Sequence, residues 1–137
     1  WPSATLAKHP WPVRDPKLPW TELNDGDVIS TDEGDLHVLL TPGHAPDHLT
    51  LWHADSRTVF VGDMMQQDNT VVILASHGGS LRDYLRSLER IRDLQPVRAF
   101  PAHGPVIDDP VALIQRYIAH RAAMCFCANT RIRPRSR

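Results

Sequence analysis

A chain of 137 residues, 42% hydrophobic and 23% charged, can bury one core of modest size, so one domain at most is expected. Its formal charge of −1 conceals an asymmetry: Arg131, Arg133, Arg135 and Arg137 crowd the C-terminus, leaving an acidic body with no basic face to attract nucleic acid by charge alone. No apolar run approaches the roughly 20 residues that span a bilayer, and the N-terminus lacks a signal-peptide layout, so no membrane partner is expected and the setting is read as cytoplasm or mitochondrial matrix.

Residues 1–26 hold five prolines and three tryptophans (Trp1, Trp11, Trp20), which forbids a regular helix and points to an extended loop lying across a domain surface. From residue 27 the pattern becomes strand, turn, strand. Asp27–Ser30, Leu36–Leu40, Leu49–His53 and Thr58–Val61 are short β-favourable runs separated by Asp-Glu-Gly, Pro-Gly and Ala-Asp-Ser turn signals, and they read as consecutive strands of one sheet. Thr70–Leu74 is a fifth such run and Val97–Phe100 a sixth. Between these two, Leu81, Tyr84, Leu85, Leu88, Ile91 and Leu94 keep a 3.6-residue period behind Ser80 as N-cap, so a helix is predicted that Pro96 stops. A second helix starts at Asp109-Pro110 and is predicted to run to about Arg121. Residues 122–137, with neither period, read as a disordered Cys/Arg tail. Cys125 and Cys127 are too close together to bridge without strain and too few to cage a metal.

Three polar residues share one kind of place. His44 follows the run 36–40 and a Pro-Gly turn, Asp63 follows Val59–Gly62, and His103 follows Val97–Phe100 and Pro101-Ala102. Ligands at the ends of neighbouring strands can converge on one rim of a sheet, and imidazole with carboxylate suits Zn²⁺ and related ions. Gly43, Gly62 and Gly104 beside them would let the backbone turn sharply.

Thr41-Pro42-Gly43-His44, Val61-Gly62-Asp63 and Pro101-Ala102-His103-Gly104-Pro105 resemble the third, fourth and fifth metal motifs of metallo-β-lactamase-fold hydrolases, in the same order. The beta-lactamase-like protein 2 group is the nearest likeness, through Gly43–His48, Gly62-Asp63 followed by Thr70–Val72, and His103–Ile107 leading to Tyr117–Arg121. The resemblance implies an α/β (α+β) fold, the C-terminal half of an αββα sandwich, with one mostly antiparallel sheet and two main helices over residues 27–121. It further implies two zinc ions, with His44 on the first, Asp63 bridging and His103 on the second. Asp47 and His48 read either as supporting residues that orient His44, as histidine ligands commonly require, or as turn caps. No catalytic residue beyond these is assigned.

The implied activity is metal-dependent hydrolysis, acting on single-stranded RNA phosphodiesters in the intact protein, with a glyoxalase-II-like thioesterase acting on a small molecule as the enzymatic alternative. The family's His-x-His-x-Asp-His motif, which supplies the remaining ligands, does not occur in this chain. The missing partner is therefore the N-terminal half of the same domain, and the chain, which begins at Trp1 without an initiating Met, is read as an excised, processed or incompletely read piece, inactive alone. A non-catalytic remnant that serves only for packing is the competing reading. No Gly-x-Ser-x-Gly elbow or phosphate-binding loop supports other chemistry. His9, His37, His53, His77 and His120 read as solvent, turn or helix-end residues.

Overall fold

The computed structural model describes residues 4–10 and 19–130, with 124–130 described by backbone alone. Trp1, Trp11, the Arg-rich residues 131–137 and the side chains of Cys125 and Cys127 lie outside what is described.

Five strands form one sheet in the order β3 (Val28–Thr31), β4 (Gly34–Leu40), β5 (Leu49–His53), β6 (Thr58–Gly62), β7 (Arg98–Pro101). The first three junctions are antiparallel and β6–β7 is parallel. Short connections suffice for the antiparallel steps, the longest being the loop 41–48 between β4 and β5, whereas parallel β6 and β7 need a crossover, which contains helix α1 (Leu81–Asp93). The expected mixed, mostly antiparallel sheet with two main helices is present. This order has a direct consequence for the site, because β4, β6 and β7 all run the same way and so end on the same edge of the sheet.

Ahead of the sheet, β1 (Leu6–Lys8) and β2 (Trp20–Glu22) of the Pro/Trp-rich segment pair in parallel as a separate ribbon. Pro10 and Pro19 lie outside the paired residues, where a missing amide costs no ladder bond.

The run Thr70–Leu74 does not form a strand, contrary to its β-favourable composition. Its carbonyls are taken by side chains instead, Val71 O by Arg121 Nη2 at 2.7 Å and Val72 O by His44 Nδ1 at 3.0 Å. A short 3₁₀ turn, Ala75–His77, follows it.

Helix α1 has the predicted start, with Asp83 N donating to Ser80 Oγ at 3.3 Å. Loss of this cap in Ser80→Ala is expected to destabilise the chain by about 1 kcal/mol, read as a lower denaturant midpoint at unchanged slope. Helix α2 (Pro110–Thr130) also starts as predicted, Ala112 N donating to Asp109 Oδ1 at 3.0 Å, but it passes Arg121 and continues to Thr130. Ala122, Ala123 and Met124 are good helix formers, and no Gly or Pro interrupts 122–130, so the lack of amphipathic period there does not end the helix. No described helix is long and apolar enough to cross a membrane.

The helices cover one face of the sheet. Val59, Val61 and Ala99 from β6 and β7 pack with Tyr84, Leu88 and Ile91 of α1 and Leu113 and Ile114 of α2, all buried. The register puts Val38, Leu51, Phe60 and Phe100 side by side on the opposite face. There Phe60 and Phe100 stack with centroids 5.3 Å apart, and Phe60 is 41% exposed.

Candidate metal centre

The three strand-end residues meet at the shared edge of β4, β6 and β7. Asp63 stands in the middle, with its Oδ2 3.9 Å from His44 Nε2 and its Oδ1 3.5 Å from His103 Nε2. Each histidine thus faces a different oxygen of one carboxylate. Among the described residues no group of three or more His, Cys, Asp or Glu side chains is gathered around a single point as a ready cage. The arrangement is two pairs sharing Asp63, not one cluster.

Neighbouring elements fix each member. His44 Nδ1 donates to Val72 O at 3.0 Å, since a carbonyl only accepts, which leaves Nε2 as the ring nitrogen that faces Asp63. The segment leading to Val72 is held by α2, whose Tyr117 hydroxyl lies 2.9 Å from Gln66 O and 2.5 Å from Asn69 O, while Arg121 holds Val71 O. Tyr117 and Arg121 are one helical turn apart and act on one face. Their roles were invisible in the sequence, where the only signal was their spacing.

The Asp63 loop is pinned on both sides. Ala102 N donates to Gly62 O at 2.9 Å, tying it to the loop that carries His103, and the buried Tyr84 hydroxyl donates to Met64 O at 2.9 Å. Burial pushes that hydroxyl up well beyond its ordinary value, reinforced by Tyr117 and opposed by Arg121, so it remains a neutral donor. His103 is the loosest member, with its side chain 72% exposed.

The supporting roles expected of Asp47 and His48 need correction, because neither contacts His44 through a hydrogen bond. Asp47 pairs with Lys8 Nζ at 2.6 Å and so anchors the β1–β2 ribbon. His48 reaches Asp63 instead: Asp63 N donates to its Nε2 at 3.1 Å. The reason is topological, since His48 immediately precedes β5, whose N-terminus lies on the same edge as the end of β6. Gly62 makes room for it; at φ +50°, a Cβ there would sit 2.6 Å from His48 Nε2.

Burial drives the His48 imidazole down from 6.5 to about 4, with nearby His44 adding to the shift and the Asp63 and Asp47 carboxylates opposing it. A folded-state value below the unfolded one means that the unfolded chain takes the proton first. The stability this neutral ring contributes is complete above about pH 6.5 and is lost as pH falls from there towards 4. Melting temperature is expected to drop by several degrees across that window, and a non-titrating His48→Gln should flatten the drop; parallel curves for the two proteins would refute this.

The remaining histidines stay away from the edge. His37 is exposed; His53 bonds Ser56 Oγ at 2.6 Å and Glu33 O at 2.9 Å, His9 bonds Leu23 O at 2.9 Å, and His77 bonds Ser76 Oγ at 3.1 Å. His120 and Arg121 line a groove of about 720 Å³ with Val71, Val72 and Ile73. None of His44, Asp63 and His103 lines it, and Val72, bonded through its carbonyl to His44, lies between the groove and the polar edge.

Comparison with known proteins agrees with the architecture. The profile of the metallo-beta-lactamase superfamily matches residues 1–103. The chain is 39% identical over 99 residues to the beta-lactamase-like protein 2 homolog of Caenorhabditis elegans, covering 72% of this chain and 32% of that protein. It is similar in structure to a metallo-beta-lactamase family protein of Thermus thermophilus, TTHA1429, with a TM-score of 0.73 and 28% identity, over 82% of this chain and 38% of that one. TTHA1623, solved in a di-iron-bound form, is similar with a TM-score of 0.62 and 26% identity, over 77% and 50%. The chain thus spans about a third of the length of the curated relatives it matches. With most of its length matched and its sheet and helices arranged as in these structures, this chain belongs to the metallo-beta-lactamase superfamily.

Proposed function

We propose that His44, Asp63 and His103 are this chain's share of a dinuclear metal centre in a metal-dependent hydrolase, His44 serving one ion, His103 the other, and the Asp63 carboxylate both. The observation that carries this reading is the division of Asp63, with Oδ2 3.9 Å from one imidazole and Oδ1 3.5 Å from the other. Neither distance is that of a hydrogen bond. Two donors at about 2.0–2.2 Å from one tetrahedral ion stand roughly 3.3–3.5 Å apart, so the His103 gap has that spacing and the His44 gap, wider by about 0.4 Å, would close slightly around an ion. The bond from His44 Nδ1 to Val72 O supports the same use, since it leaves Nε2 as the nitrogen available to an ion.

Zinc is the ion proposed, and the same nitrogen and oxygen donors suit iron, as in the similar di-iron-bound protein. When bound, such ions would activate a water and polarise a phosphoryl or carbonyl centre. This chain's residues hold and space the two positions, and a His-x-His-x-Asp-His segment on the other half of the domain completes them. The substrate class proposed for the intact protein is single-stranded RNA, on the likeness of its motifs to the beta-lactamase-like protein 2 group, with a thioester as the alternative.

Residues 1–137 are expected to bind Zn²⁺ weakly, because each ion would have two protein donors and water elsewhere. Titration calorimetry of the chain, His44→Ala and Asp63→Ala checks this. Each substitution should weaken uptake, Asp63→Ala most. Tight uptake that ignores Asp63→Ala would sink the shared-carboxylate reading, and no uptake at all would favour a packing-only remnant.

A further inference from the structure

We propose that His48 is the positioning residue for Asp63, acting through the main chain and not as a metal ligand. The inference rests on reading Asp63 as the shared ligand. Its geometry is a directed chain of bonds. Asp63 N donates to His48 Nε2 at 3.1 Å, and His48 Nδ1 lies 2.9 Å from Thr41 Oγ1, which lies 2.9 Å from Thr50 Oγ1. A backbone amide only donates, so Nε2 holds the lone pair and the ring proton sits on Nδ1, donated to Thr41. Thr41 must then pass its own proton to Thr50. Both threonines are fully buried, so the chain ends inside the sheet, where no solvent competes for their hydroxyls.

The arrangement matters because the Asp63 carboxylate has no hydrogen bond of its own among the described residues beyond its contacts with His44 and His103. Where its two oxygens stand is therefore decided by the backbone from which they project. The peptides on either side are held by Ala102 N on Gly62 O and by the Tyr84 hydroxyl on Met64 O. His48 supplies the middle pin, at the residue itself. The separation of Nδ1 and Nε2 across one ring couples β4 and β5 to the end of β6, a span that no shorter side chain bridges.

Two substitutions separate the two ends of the ring. In His48→Gln the terminal amide reaches the Nε2 position and accepts from Asp63 N, leaving Thr41 unanswered. In His48→Asn the amide reaches the Nδ1 position beside Thr41 and stops short of Asp63. Each is made in the full 137-residue chain and followed by hydrogen exchange at the Asp63 amide without metal, and by titration with Co²⁺ alone, read from its visible absorption.

His48→Asn is expected to speed exchange at Asp63 and to weaken Co²⁺ uptake by about 10- to 100-fold, the usual scale for losing an outer partner of a ligand. His48→Gln should stay within a few-fold of the parent on both. Parent-like behaviour of His48→Asn, or equal damage in both, overturns the proposal. Should His48→Asn not fold, His48→Gln decides by itself: parent-like exchange and uptake uphold the pin, and a folded protein that has lost both removes it. If the parent takes up no Co²⁺, the shared-ligand reading fails on its own account. Exchange at Asp63 in His48→Asn then still tells whether His48 pins that residue.

Discussion

Asp63→Ala, placed in a protein that joins residues 1–137 to an upstream segment bearing His-x-His-x-Asp-His, is expected to lower turnover on single-stranded RNA by at least about 100- to 1000-fold. Loss of a single fixed electrostatic partner acts on that scale, and 1000-fold corresponds to about 4 kcal/mol of barrier. Asp63 should exceed the single-partner value because both histidines face it, at 3.9 and 3.5 Å, so its removal uncouples two positions at once. Residues 1–137 by themselves should show no turnover on RNA or on thioesters. Steady-state rates on both proteins decide the matter: robust turnover by residues 1–137 alone overturns the account, and activity on thioesters but not RNA in the joined protein reassigns the substrate class.

The second large effect is on stability. Gly43→Ala is expected to cost several kcal/mol, because a Cβ at that position would lie 2.3 Å from Tyr84 Cα and 2.4 Å from Tyr84 N, both backbone atoms of α1 that cannot swing aside. Its φ of +141° adds conformational strain to the clash. Overpacking of this kind typically costs roughly 1–3 kcal/mol and sometimes more, and here the cost falls on a junction where Ser80 N donates to Gly43 O and Ser87 Oγ to Pro42 O. The loop that carries His44 should part from α1. A melting temperature within a degree or two of the parent's would show that the helix can shift to accommodate the methyl.

Much of this was legible because the signals were local. The alternation of Leu36–Leu40, the turn residues between strands and the Ser80 cap each act over a few residues, and the structure has strands and a cap where they point. The strand-end placement of His44, Asp63 and His103 was readable too, once three strands were taken to end on one edge. What the sequence did not carry was the identity of distant partners. Nothing near His48 says that its Nε2 will receive the amide of a residue on another strand, and nothing near Thr70–Leu74 says that α2 and His44 will claim its carbonyls before a strand can. The helix past Arg121 was missed for a related reason: the sequence was read by hydrophobic period, and residues 122–130 carry none.

Stacked Phe60 and Phe100, on the face that no helix covers, mean that neighbouring residues of β6 answer to different requirements. Val59 and Val61 are sealed within this chain, whereas the position between them, flanked by Leu51 and Phe100, is 41% exposed. Tolerance to substitution should therefore alternate residue by residue along β6, with polar replacements ruinous at 59 and 61 and nearly silent at 60. The silence lasts only while that face stays wet. Once a second layer lies against it, the same aromatic pair becomes interior, and a change that cost nothing to one piece becomes a defect in the whole.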